Sequence, residues 1–243
     1  MKRTALILAA LLCMASRHPD RMIRSDILLN CSFNRGDGST RSMVDRTPTL
    51  TNGAVVTAGN RYLTLDGAND YLSFPDADDL SFGNGGTDSP FSISMWIKTT
   101  APTTRQFLIS KRTVSTYEWQ LEYRATASAG LEFVLATSNA SAIISRHDAG
   151  RTLTSGQWYH VVATYSGGKT HGSIRLFQDG AQVDDTSGIN PSYAGMSNTT
   201  NPVSIGCLPT NILPFAGDID DVRIYNRELT AAEVAAIYSS GRE

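Results

Sequence analysis

Hydrophobic and polar residues alternate in short runs along most of this chain. The clearest run is Phe91-Ser-Ile-Ser-Met-Trp-Ile-Lys98, in which Phe91, Ile93, Met95 and Ile97 fall on one face and Ser92, Ser94, Trp96 and Lys98 on the other. A period of two belongs to a β-strand with one face turned to a core. Comparable runs occupy 27–33, 61–65, 70–74, 106–111, 117–124, 130–136, 142–146, 157–165, 173–178, 202–207 and 215–225. Turn clusters such as Asp66-Gly-Ala-Asn-Asp70 and Phe82-Gly-Asn-Gly-Gly86 separate them. Asp179-Gly180 is a short hairpin signal between Ile174–Phe177 and Gln182-Val183. About a dozen short strands at regular spacing predict an all-β sandwich or barrel.

The pattern changes at the C-terminus. Leu229 to Tyr238 is rich in helix formers, and Thr230 and Glu233 stand at capping-box spacing ahead of Val234 and Ile237. Gly241 supplies the stop. One short helix is expected there, with Val234 and Ile237 facing the sandwich.

The N-terminus differs again. Lys2-Arg3 precedes the uncharged apolar stretch Thr4 to Ala15, the pattern of a secretory signal peptide. Cleavage after Ala15 is expected to leave Ser16 first, and 16–25 reads as a polar leader to a domain spanning 26–243. A short buried helix is the competing reading of 4–15. The expected location is therefore secreted: extracellular, periplasmic or cell surface.

With 243 residues the chain can bury a sizeable core without disulfides or metals. Its 21 Lys and Arg against 23 Asp and Glu argue against binding nucleic acid by phosphate neutralisation. No apolar run reaches the ~20 residues of a membrane span, and no phosphate-cradling glycine loop is present. After cleavage only Cys31 and Cys207 remain; they make no metal motif, and an oxidising compartment would permit a bridge between them.

Five segments in order resemble a known family. They are Asp66-Gly-Ala-Asn-Asp-Tyr-Leu72, Phe91 to Ile97, Gly156-Gln-Trp-Tyr-His-Val-Val-Ala-Thr-Tyr165, Leu176-Phe-Gln-Asp-Gly180, and Phe215 to Arg227 followed by Leu229-Thr-Ala-Ala-Glu-Val234. In this order and spacing they look like the laminin G-like domains of the concanavalin A-like lectin/glucanase group. The resemblance implies a jelly-roll sandwich of two antiparallel sheets, one concave, with first and last strands adjacent. It implies a fold far more than a function, because such sandwiches host lectins, adhesins and glycosidases alike.

Three constellations could carry chemistry. Glu118, Gln120 and Glu122 alternate along one strand, and the group's glucanases place two carboxylates at this separation, one serving as nucleophile and one as acid. Those enzymes keep an aspartate where this chain has Gln120, which removes the group that tunes the nucleophile. His160 has no serine or cysteine nucleophile in a recognisable local motif, so a packed histidine bonded to backbone is the expectation. The acids Asp218, Asp220 and Asp221 lie near the turn holding Asn34 and Asp37 if the end strands pair; Asn34, Asp37 and Asp220 are the expected ligands of a structural calcium ion.

A secreted, non-catalytic binding module is therefore expected, taking carbohydrate or another extracellular ligand. A glycoside hydrolase or lyase using Glu118 and Glu122 is one alternative; an adhesive surface or virion protein that binds protein is the other. Sugar sites pair an aromatic platform with polar side chains. Tyr117, Trp119 and Tyr193 are the candidate platforms, and alternation leaves open which face of 117–124 is exposed.

Overall fold

The computed structural model describes residues 26–33, 47–56, 62–126, 129–189 and 192–242. The expected signal peptide, the leader and the turn bearing Asn34 and Asp37 lie outside the described residues. Among the described residues, sixteen strands form two antiparallel sheets. The first contains β1 (Ile27–Cys31), β3 (Val55–Val56), β4 (Leu63–Asp66), β6 (Phe91–Thr99), β11 (Tyr159–Tyr165), β12 (Ile174–Gln178), β13 (Ala181–Gln182) and β16 (Ala216–Tyr225). The second contains β2 (Thr49–Thr51), β5 (Tyr71–Phe74), β7 (Gln106–Arg112), β8 (Tyr117–Thr126), β9 (Ala129–Ala136), β10 (Ile143–His147), β14 (Thr186–Ile189) and β15 (Val203–Ile205). Their orders are β13-β12-β11-β6-β16-β4-β3 and β14-β10-β9-β8-β7-β15-β5-β2. β1 and β16 pair antiparallel, so the first and last strands are neighbours as expected. This is the two-sheet jelly-roll sandwich that the family resemblance implies, one of the two all-β architectures that the alternation allows. The strands missed by pattern, β2, β3 and β14, are two to four residues long, too short to show a period.

The core sits between the sheets. Phe91, Ile93, Met95 and Ile97 are fully buried there, the face that alternation assigns them. Phe91 stacks on Phe82 at 3.9 Å and meets Phe133 at 5.6 Å and Tyr165 at 6.0 Å edge-on. Gly217 lets β16 lie close to β6: its φ is 137°, and a Cβ there would stand 2.1 Å from the Lys98 carbonyl oxygen. Cys31 and Cys207 are separate buried thiols, both pushed up by burial, Cys207 to about 11. They behave as small hydrophobes.

The helix α1 (Ala231–Ser240) covers part of the outer face of the first sheet. The Thr230 side chain accepts from the Glu233 backbone N–H while the Glu233 side chain accepts from that of Thr230, completing the capping box. Val234 and Ile237 are buried in a second apolar cluster with Val162, Phe177, Tyr225 and Leu229. Beside it, Tyr238 stacks on Trp96 and His160 with centroids 5.8 and 6.1 Å apart, and Trp96 meets His160 tilted at 5.2 Å. His160 Nε2 meets Ser94 Oγ at 2.9 Å, so the partner is a neighbouring-strand hydroxyl and not the backbone group that the sequence suggests. Ser94 and His160 both project outward from paired strands, which brings the two side chains together. Burial, reinforced by the Arg223 guanidinium, pushes His160 down to about 3.

Three outcomes follow from this packing. Phe91→Ala should cost about 3–5 kcal/mol and Thr230→Ala about 1 kcal/mol in urea unfolding. Because folded His160 refuses a proton that the unfolded chain accepts below its ordinary 6.5, its contribution is intact above pH 6.5 and lost as pH falls toward 3. The stability gap between wild type and His160→Gln should therefore narrow over that window. A gap that stays constant with pH contradicts the buried neutral ring.

Candidate functional site

β7, β8 and β9 build a groove of about 210 Å³ on the face of the second sheet turned away from the core. Alternation along β8 sends Trp119, Leu121 and Tyr123 into the core, leaving Gln120, Glu122 and Arg124 on the groove side. From β9 come Glu132, directly opposite Glu122, and Val134, directly opposite Gln120. β7 ends in Arg112, and Arg105 enters from the turn before it.

A register shift shapes one end. Lys111 pairs with Trp119, yet the next residue, Arg112, pairs with Tyr117, so Glu118 has no opposing residue. This irregularity re-aims side chains, the usual effect of a bulge. Tyr117 joins the groove side, and the Arg112 guanidinium carbon lies 3.8 Å from its ring centroid. Glu118 turns instead toward the buried Lys111 ammonium, 2.9 Å away, and its Oε1 also accepts from the Thr199 backbone N–H and hydroxyl at 2.8 and 2.6 Å.

Two ion pairs line the groove. Arg105 grips Glu122 in a bidentate fork at 2.8 and 2.9 Å, and Arg124 donates to Glu132 at 2.6 Å. Burial raises the Glu122 carboxyl above the usual range although Arg105 opposes it, and the facing Glu132 pushes the same way as burial. Arg112 donates to Gln120 Oε1 and to the Thr113 carbonyl, both neutral. Burial lowers its affinity for the proton. Along the same sheet face Ser110 pairs with Gln120 and Ser204 with Ser110; both hydroxyls are buried without a hydrogen-bond partner.

The expected platforms separate. Tyr117 is half-buried beside the groove, but Trp119 is 1% exposed in the core, with its indole N–H on the Leu80 carbonyl at 3.1 Å. Trp119 cannot serve as a surface platform because the phase of β8 points it inward. Tyr193 is likewise buried: its hydroxyl donates at 2.8 Å to Asp88, which also accepts from Tyr165 and the Met196 backbone. Asp88 is far away in sequence, so the local pattern could not reveal that anchor. Glu118 and Glu122 do not converge, being held by Lys111 and by Arg105 respectively.

Of the expected calcium ligands, Asp220 is described. Its Oδ2 accepts from Arg242 at 2.6 Å and its Oδ1 from the Asp221 N–H at 2.8 Å. Burial and Asp221 push its carboxyl up to about 7. Among the described residues no three His, Cys, Asp or Glu converge on a common point. Arg105, Arg112, Arg124 and Glu132 are the groove residues that sequence reasoning missed. Their signal was weak: Glu122 and Arg124 share a phase within Glu118-Trp-Gln-Leu-Glu-Tyr-Arg124, but only strand pairing brings Glu132 and Arg112 beside them.

No curated protein matches the sequence. Among solved structures, the chain is similar to the receptor-binding domain of botulinum neurotoxin mosaic serotype C/D, with TM-score 0.66 and 15% identity over 90% of this chain and 52% of that one. The binding domain of Paraclostridial Mosquitocidal Protein 1 gives 0.65 and 15% over 90% and 53%. The ligand-binding domain of botulinum neurotoxin serotype D, solved in complex with N-acetylneuraminic acid, gives 0.65 and 14% over 92% and 53%. The chain thus spans about half the length of these structures, and at such identity the likeness is one of fold. The laminin G family model of the concanavalin A-like lectin/glucanases superfamily matches residues 66–235, and the chain belongs to that family.

Proposed function

We propose that this chain is an exported, non-catalytic module that binds carbohydrate in the groove of β7, β8 and β9. The observation that supports it most is the groove's composition: an aromatic ring, a carboxamide and planar guanidinium and carboxylate groups, all carried on or beside paired strands. Sugars offer alternating apolar faces and hydroxyls, and such a surface meets both. Strands hold these groups with less freedom than loops would, so little ordering cost falls on binding. The N-acetylneuraminic acid complex of the serotype D domain adds support for a sugar ligand in this fold family.

The groove carboxylates argue for binding over hydrolysis. A retaining glycosidase needs two carboxyl groups about 5–5.5 Å apart, one of them free to attack. Here Glu118 is engaged by Lys111 and Thr199, Glu122 by Arg105, and Glu132 by Arg124. Calcium at Asn34, Asp37 and Asp220 would require the Arg242–Asp220 pair to open.

Each part has its own measurement. A glycan array should register defined sugars, and Tyr117→Ala with Gln120→Ala should weaken them about tenfold or more; silence across the array sinks the carbohydrate reading. Glucan hydrolysis should be undetectable, whereas turnover abolished by Glu118→Gln and Glu122→Gln would restore the enzyme alternative. Protein exported by its own host should begin near Ser16, and an intact Met1 would contradict export through cleavage. Melting with calcium and with chelator settles the ion: a higher midpoint with calcium supports it and coincident curves remove it.

A further inference from the structure

Among the described residues, the groove contains one cation, Arg112, that forms no ion pair, with Glu122 drawing on its charge only through space. Arg105 and Arg124 are each tied to a glutamate, so their charges are neutralised within the groove. Arg112 is half-buried, and its hydrogen bonds run to Gln120 Oε1 and the Thr113 carbonyl, which are dipoles and not charges. Its guanidinium lies over the Tyr117 ring at 3.8 Å and 5.4 Å from the centroid of Phe107. Those rings hold the plane of the guanidinium but cannot supply a counter-ion. Removing a cation from water without a partner anion is costly. Burial lowers the proton affinity of Arg112, in agreement with that cost.

Such a group is primed for an anion. A guanidinium fork matches a carboxylate or sulfate in two parallel hydrogen bonds, and charge-assisted bonds in a partly dry groove are stronger than neutral ones. With three arginines against two glutamates, the groove carries one surplus positive charge. Arg105 and Arg124, already paired with Glu122 and Glu132, offer an anion no free charge, which directs it toward the Arg112 end. From this geometry we propose that the groove selects an acidic sugar, with Arg112 receiving the carboxylate or sulfate and Tyr117 holding the guanidinium in place. The proposal rests on the groove being the carbohydrate site and adds the chemical class of its ligand.

The test uses the full chain and immobilised glycans ending in glucuronic acid, N-acetylneuraminic acid or 6-sulfated galactose, each beside its neutral counterpart. Methyl esters of the two carboxylate sugars separate charge from shape. Acidic glycans should bind, their esters and neutral counterparts should not, and affinity should fall as salt rises. Arg112→Gln should weaken binding about ten- to a hundredfold. Arg112→Lys keeps the charge without the fork and should recover part of the loss; both variants should melt close to wild type. Acidic glycans bound equally well by Arg112→Gln overturn the proposal. Neutral glycans bound alone, and weakened by Gln120→Ala, also overturn it while leaving the groove as the sugar site. Failure to bind any glycan removes both readings.

Discussion

A buried ammonium organises the end of the sandwich on which the site depends. Lys111 is fully buried, and its Nζ donates to Asp76 at 2.6 Å, to Glu118 at 2.9 Å and to the carbonyls of Thr199 and Asn201 at 3.0 Å each. A charge taken out of water survives only with such a complete set of acceptors. Where Glu118 meets it, Glu118 leaves the strand alternation and the register of β7 against β8 shifts by one residue. The shift places Tyr117 beside Arg112 on the groove side. The same cluster anchors the segment at Thr199 and Asn201, which also bonds back to Thr116.

The two sheets have divided their outer faces between stability and exposure. α1 and the Trp96–His160–Tyr238 stack cover part of the first sheet, using a helix to bury apolar surface that the strands leave outward. β7, β8 and β9 of the second sheet instead present a polar face with a groove. Its side chains rest on strands whose opposite faces are locked in the core by Trp119, Leu121 and Phe133. Core packing and the polar groove are therefore opposite faces of the same strands.

Alternation was legible wherever a strand exceeded about four residues, as β6 illustrates, because a period needs several repeats to register. The capped helix was legible for the same local reason: Thr230, Glu233, Val234 and Ile237 sit within one another's reach along the chain. What alternation could not supply was phase and partnership. The inward phase of Trp119 is set between β9 and β7, and the outward turn of Tyr117 goes with the register shift beside Lys111. Tyr193 looked like an exposed loop aromatic until Asp88, distant in sequence, supplied a buried acceptor. Sites assembled across strands are set by pairings of high sequence separation, which local patterns do not encode.

The bulge presenting Tyr117 and Arg112 rests on the Lys111 cluster beside it. Urea unfolding of Lys111→Met tests that dependence, since methionine keeps the volume while removing the charge and the donors to Asp76, Glu118, Thr199 and Asn201. Stranding Asp76 and Glu118 without their cation should cost about 3–5 kcal/mol, and adding Glu118→Gln should recover part of that loss. A Lys111→Met protein as stable as wild type would contradict the account.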